Sequence, residues 1–291
     1  MIIVITGPTA VGKTKLSIEL AKRLNGEIIN ADSTQVYKGL DIATAKIKEN
    51  EKEGIPHHLF DIKNIDENYT VYDYQKDGRI CIDEILKKGK TPIIVGGTGL
   101  YINALLYDYK FEDENSNYDF SNLTDQELYN KLKEIDPNTS IHINNRKRVE
   151  RAYSYYLKTG KCFSEKEITH KLLYNTIFIG LTTDRSILYD KINKRVDNML
   201  KDSLIDEAYK IYLSNIRSKA VMTPIGYKEL FDYFDKKCSL EDSIELIKQR
   251  SRHYAKRQYT WFKNQMDVKW FKLDKCYDET YKEIIAYLEG K

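Results

Sequence analysis

Four cysteines, Cys81, Cys162, Cys238 and Cys276, stand far apart and form no C-x-x-C pair. They offer neither a zinc-ribbon spacing nor a disulfide framework, and they read as reduced thiols. Of the five histidines only His57 and His58 adjoin, which supplies no metal cluster either. No apolar run approaches the roughly 20 residues needed to cross a bilayer. The first residues enter a strand-like run without the pattern of a signal peptide, so the expectation is a cytoplasmic protein with no membrane contact. A dominant charge is missing as well: 47 basic and 44 acidic residues leave a net charge of +3, too little by itself to announce a nucleic-acid partner.

What is present is enough apolar sequence, 41% of 291 residues, to bury the core of one large domain with an insertion, or of two domains. The apolar run Ile2-Ile3-Val4-Ile5 is followed by Gly7-Pro8-Thr9-Ala10-Val11-Gly12-Lys13-Thr14 and then by a helical pattern through Leu16, Leu20 and Leu24. Strand, loop and helix thus surround a complete G-x-x-x-x-G-K-[ST] motif. In that setting backbone N–H groups close around phosphate oxygens, Lys13 adds a full charge, and Thr14 offers a hydroxyl to a magnesium ion.

A second short strand, Glu27-Ile28-Ile29-Asn30-Ala31-Asp32, ends on a carboxylate. Ligands of open α/β sheets gather at the carboxyl ends of strands, so Asp32 is a candidate for chemistry beside the phosphate loop. Residues 33–46 read as an irregular loop with short helical pieces, and residues 56–62 as the start of another strand. Helices are expected over residues 72–88, 125–135, 146–157 and 240–263. Strands are expected over residues 91–95, 174–181 and 268–273. Gly96-Gly97-Thr98-Gly99 follows the strand at 91–95, where ATPases often hold magnesium with an Asp. Its glycines suit close backbone approach and Thr98 a hydroxyl contact. The polar tract from Phe111 to Asn122 marks an exposed connection into a small helical insertion, set at residues 111–140. The fold expected is therefore a P-loop NTPase-like α/β core, residues 1–110 and 141–291. Its parallel sheet is flanked by helices and its C-terminal half is rich in helix.

Residues 248–263 contain six Lys or Arg and no acid, with Tyr254, Tyr259 and Trp261 interleaved. Most charge runs are solvated helix faces, but cations for phosphates and flat rings for bases also suit an RNA surface. Arg146, Lys147, Arg148 and Arg151 form a second basic cluster. From the residues alone, a helicase-like ATPase, a nucleotide kinase and a transferase acting on RNA all remain open.

Several segments together resemble the tRNA dimethylallyltransferase (tRNA isopentenyltransferase) family. They are the phosphate loop, Asp32-Ser33-Thr34-Gln35 with the residues through Lys46, Pro56-His57-His58-Leu59, Val95-Gly96-Gly97-Thr98-Gly99-Leu100-Tyr101, Gly226-Tyr227-Lys228-Glu229 and Lys256-Arg257-Gln258-Tyr259-Thr260-Trp261-Phe262. They occur in family order over nearly the whole chain. The resemblance implies transfer of the five-carbon unit of dimethylallyl diphosphate to the exocyclic amino group of the adenosine beside the anticodon, with Mg²⁺. It makes Asp32 the general base, puts Thr98, Lys13 and Thr14 on the diphosphate and its metal, and brings Arg195 to the diphosphate from the channel wall. It places the tRNA anticodon stem-loop against Asp32, Ser33, Thr34 and Gln35; Lys147, Arg148, Val149, Glu150 and Arg151; Thr223, Gly226, Tyr227 and Lys228; and Lys256, Arg257, Gln258, Trp261 and Lys263. A monomer is expected. The alternatives are an adenylate dimethylallyltransferase acting on free AMP, ADP or ATP, and a P-loop nucleotide kinase or RNA-binding ATPase. Gly96 in place of a magnesium-binding Asp argues against the latter pair.

Overall fold

The computed structural model describes residues 1–109, 111, 118–165, 171–273 and 276–291. Much of the acidic connection, at residues 112–117, lies outside them. One sheet of six strands organises the chain in the order β3-β2-β4-β1-β5-β6. Its strands are β1 (Ile2–Thr6), β2 (Gly26–Asn30), β3 (His57–His58), β4 (Thr91–Val95), β5 (Thr176–Thr182) and β6 (Lys269–Lys272), all paired in parallel. Between β1 and β2 runs helix α1 (Lys13–Arg23); between β3 and β4 runs α2 (Val71–Lys87); after β4 comes α3 (Gly99–Leu106).

The apolar runs of β1, β2, β4 and β5 do not alternate with polar residues because both faces of the sheet are covered. Ile2, Val4, Ile29, Ile94 and Phe178 pack on one face, while Ile3, Ile5, Ile28, Ile93 and Ile179 pack on the other. Period-two geometry sends neighbouring residues to opposite cores. An apolar, β-branched strand is the sequence consequence.

Asp108–Lys171 forms a compact unit of its own. It contains α4 (Asp125–Ile135) and α5 (Arg146–Thr159). The limit expected at residue 140 is therefore moved to Lys171, because Val149 and Ala152 of α5 bury themselves against Leu128 and Leu132 of α4. Arg146 fastens the pair with a bond of 2.6 Å to Asp125 of α4, and is itself held by Glu150 of its own helix at 2.8 Å.

The core unit continues through α6 (Arg185–Lys201), α7 (Leu204–Leu213), α8 (Lys219–Met222), α9 (Tyr227–Phe234), α10 (Leu240–Gln265) and α11 (Tyr277–Glu289). Residues 33–46 are turns without a helix, and only His57–His58 of the expected strand at 56–62 pairs with β2. No helix among the described residues is long and apolar enough to cross a membrane.

Candidate active site

In sheet order β2, β4 and β1 are neighbours, so their carboxyl ends open side by side. From β1 comes the phosphate loop, from β2 Asp32, and from β4 residues 96–99. Of these segments Thr9, Lys13, Asp32, Gly96 and Gly97 line one cleft of about 270 Å³, together with Arg195. Ile28, Ala45, Ile47, His57 and Phe60 supply an apolar side.

Lys13 opens α1, and its ammonium donates to the carbonyls of Gly7 and Pro8 at 2.9 Å each. Burial and the nearby Arg195 lower its pKa to about 7, against a smaller opposing pull from Asp32. Arg195, on α6, donates to the Thr9 hydroxyl at 3.0 Å. Burial draws its pKa below the ordinary value as well, opposed by Asp32. Two cations and a helix N-terminus thus face one carboxylate in a confined space, an arrangement with an excess of positive potential for an anion.

Asp32 is held by consecutive side-chain turns. Asn30 Oδ1 accepts from the Asp32 amide at 2.9 Å, and Asp32 Oδ1 accepts from the amide and hydroxyl of Thr34 at 3.0 and 2.7 Å. Asn and Asp make such bonds two residues onward, which shapes the turn without regular structure. Both Thr34 bonds fall on Oδ1. Thr98 Oγ accepts from the Ser33 amide at 3.1 Å, so the Asp32 turn and the residue 96–99 loop are joined directly.

The apolar side is set by a loop pinned from outside. Glu207, on α7, accepts from the amides of Asp41 (3.0 Å), Ile42 (2.8 Å) and Ala43 (3.1 Å), and from the Tyr227 hydroxyl (2.7 Å). Gln35 holds the next turn by donating to Thr44 O at 2.9 Å. His57 turns one ring nitrogen to Ile55 O at 2.7 Å, and burial pushes its pKa down. His58 leaves the cleft for the buried carboxylate of Glu27, which Lys90 also reaches at 2.7 Å. Burial alone would raise the Glu27 carboxyl, yet hydrogen bonds from Lys90, His58 and Lys88 hold it at about 2.

The structure divides the residues expected on an RNA surface. Lys147, Arg148 and Arg151 of α5, Thr223 and Lys228, and Lys256, Arg257 and Lys263 of α10 are exposed. Val149, Tyr227 and Gln258 are buried, and Glu150 pairs with Arg146. Those four side chains serve packing or pairing within the protein. The run without acids in α10 is also less bare than it reads. Lys248 pairs with Asp197 at 2.7 Å, Arg252 with Glu245 at 3.0 Å, and Arg250 with the buried Glu229. Glu207 and Glu229 carried no local signal, since their partners lie far away in the sequence.

A phosphate loop, a fixed carboxylate and a hydroxyl loop at adjoining ends of parallel strands define an α/β P-loop enzyme for a phosphorylated substrate. More particularly, the chain belongs to the IPP transferase family, whose profile matches residues 35–265. A tRNA dimethylallyltransferase of Anoxybacillus flavithermus is 52% identical over 300 residues, covering all of this chain and 96% of that protein. The tRNA isopentenylpyrophosphate transferase of Bacillus halodurans is 44% identical and superposes with a TM-score of 0.79, over 99% of this chain and 95% of that one. A eukaryotic dimethylallyltransferase acting on tRNA, 32% identical, gives a TM-score of 0.88 over 99% of this chain and 78% of that one.

Proposed function

We propose that the protein transfers the dimethylallyl group of dimethylallyl diphosphate to the exocyclic amino group of the adenosine beside the anticodon of tRNA. The observation that carries this reading is the meeting of Lys13, Arg195 and Asp32 in one cleft with an apolar wall. The adenine nitrogen forms a bond to C1 of the dimethylallyl group as the C1–O bond breaks and its electron pair leaves on diphosphate. Asp32 Oδ2 accepts the proton that the nitrogen gives up. Lys13, Arg195 and the α1 N-terminus stabilise the charge that gathers on the leaving group. We assign the contact with the departing oxygen to the Thr98 hydroxyl, whose loop supplies Gly96 and Gly97 to the cleft.

Among the described residues no cluster of three His, Cys, Asp or Glu could hold a metal. Thr14, on the cleft wall beside Lys13, would hold a magnesium ion through its hydroxyl. When bound, such an ion neutralises part of the diphosphate charge. The adenine must leave its stack to reach the cleft, as for other enzymes that modify a base. Lys147, Arg148, Arg151, Lys256, Arg257 and Lys263 are the exposed cations for the tRNA backbone. We assign the protein as a monomer working in the cytoplasm.

The test is incubation of the protein with labelled dimethylallyl diphosphate and either unmodified tRNA or AMP. Label is expected in tRNA. Label in AMP alone would make the protein an adenylate dimethylallyltransferase, and ATP turnover with label in neither would make it a kinase or ATPase.

Lys13 adds a pH dependence. With a pKa of about 7 it is roughly half neutral at pH 7 in the free protein. A bound polyanion favours the ammonium and raises that pKa. Diphosphate binding near pH 8 is therefore expected to take up a proton at Lys13, and affinity to fall as pH rises through this range. Calorimetry in buffers of different ionisation enthalpy should show proton uptake greater by up to about one per site than in Lys13→Met. Equal uptake in both would remove Lys13 as the coupled group.

A further inference from the structure

Tyr254, Gln258 and Trp261 lie at i, i+4 and i+7 on α10 and share one stripe of the helix. The sequence reads these rings as stacking surfaces for bases, but the stripe faces the loop at residues 96–99. An added Cβ on Gly99 would lie 2.0 Å from the Trp261 ring, and one on Gly97 would lie 1.9 Å from the Gln258 amide nitrogen. Gly97 and Gly99 thus pack closely against a helix, while Gly96 and Gly97 also line the cleft. Tyr254 directs its hydroxyl toward Thr98 and Gln258, and burial raises its pKa, which keeps it protonated.

Gln258 does more than fill space. Its carbonyl oxygen accepts from the Thr9 amide at 2.8 Å, and its NH₂ donates to Gly97 O at 3.1 Å. Gln258 is 5% exposed. One amide orientation alone satisfies an N–H on one side and a C=O on the other, so the group is specified as an amide by its neighbours. Thr9 in turn holds Arg195 through its hydroxyl. A single side chain therefore ties the phosphate loop, the guanidinium behind it and the Thr98 loop together.

We infer that Gln258 is a positioning residue for the transfer reaction: it cross-braces the phosphate loop to the loop carrying Thr98, and so sets the spacing between the diphosphate cradle and that hydroxyl. This rests on the cleft being the donor site. It also assigns the inward face of α10 to the donor and leaves the outward cations Lys256, Arg257 and Lys263 to the tRNA.

Two variants test it. Gln258→Met keeps the length and removes both hydrogen bonds. It is expected to weaken inorganic diphosphate binding about tenfold and to raise the KM for dimethylallyl diphosphate, with tRNA affinity in filter binding near that of the unaltered protein. Gln258→Glu keeps the shape, but at neutral pH sets an anion against the Gly97 carbonyl. A protonated carboxyl restores both bonds, so diphosphate affinity relative to the unaltered protein is expected to recover as pH falls from about 8 to about 6. That profile is readable even if the Met variant folds poorly, and a residue that merely packs would not produce it. Weakened tRNA binding with unchanged donor parameters would make Gln258 an RNA contact and overturn the inference, as would a Glu profile parallel to the unaltered protein. Both binding readouts are independent of turnover, so failure of the transfer assay and failure of the brace are distinguishable. No diphosphate binding by the unaltered protein would remove the donor site and the brace together.

Discussion

Asp32→Asn is expected to lower kcat for transfer by about 10²- to 10⁴-fold, the range that a positioned general base contributes. The substitution is chosen because Asn keeps an Oδ1 that can accept both Thr34 hydrogen bonds, so the turn is preserved while the basic oxygen is lost. tRNA affinity and melting temperature should therefore stay close to those of the unaltered protein. Single-turnover measurement with saturating donor separates the chemical step from binding and product release. A kcat within about threefold of the unaltered protein would move the base elsewhere. Restoration of activity by raised magnesium would identify Asp32 as a metal ligand instead.

Gly96→Ala should act on the fold rather than on the chemistry. An added Cβ would stand 2.1 Å from the carbonyl oxygen of Ala31 and 2.2 Å from its carbon, both backbone atoms of the adjoining chain. No rotamer relieves that clash, because the neighbour is itself held: the Ala31 amide donates to Val95 O at 2.8 Å and its carbonyl accepts from Thr98 N at 3.1 Å. Relief requires parting β2 from β4 just where Asp32 and Thr98 are set. Destabilisation of about 4 kcal/mol or more is expected, seen as a fall in Tm of about 8 °C or more, or as loss of soluble protein. Gly54→Ala is the control, since a Cβ there meets no atom within 4 Å and bears only the strain of φ +77°. Equal melting of the two variants would refute the steric account.

Local features were the legible ones. Strand, phosphate loop and helix are contiguous over residues 2–24, so the phosphate-loop side of the cleft could be read without tertiary knowledge. Asp32 was legible because the end of a strand is a place the sheet itself defines. The two bonds that position the cleft loops most directly were not. Gln258 meets Thr9 across 249 residues, and Glu207 meets Asp41 across 166. Neither residue stands out in its own neighbourhood. Gln258 is a buried amide inside a basic stretch, and its sequence neighbours give no sign of that burial. The acid-free run 248–263 is also partly neutralised from outside itself: Asp197 and Glu229 come to its cations from α6 and α9. Linear charge counts measure one helix, whereas neutralisation happens between helices. The insertion was placed by its polar connection, and its true extent was set by a small apolar core that needs two helices to exist.

The core chain pauses at Tyr107 and resumes at Leu172, which face each other across a single antiparallel bridge. Beside it the Leu173 amide donates to Leu106 O at 2.9 Å. In terms of connectivity, residues 108–171 begin and end at one address on the core. The strands that carry the cleft are therefore joined as though by a short turn, whatever hangs from it. Lengthening or trimming such an appendage adds little closure entropy and leaves the bridge in place. Residues 108–171 can thus change in length without touching the register of the sheet that carries the cleft.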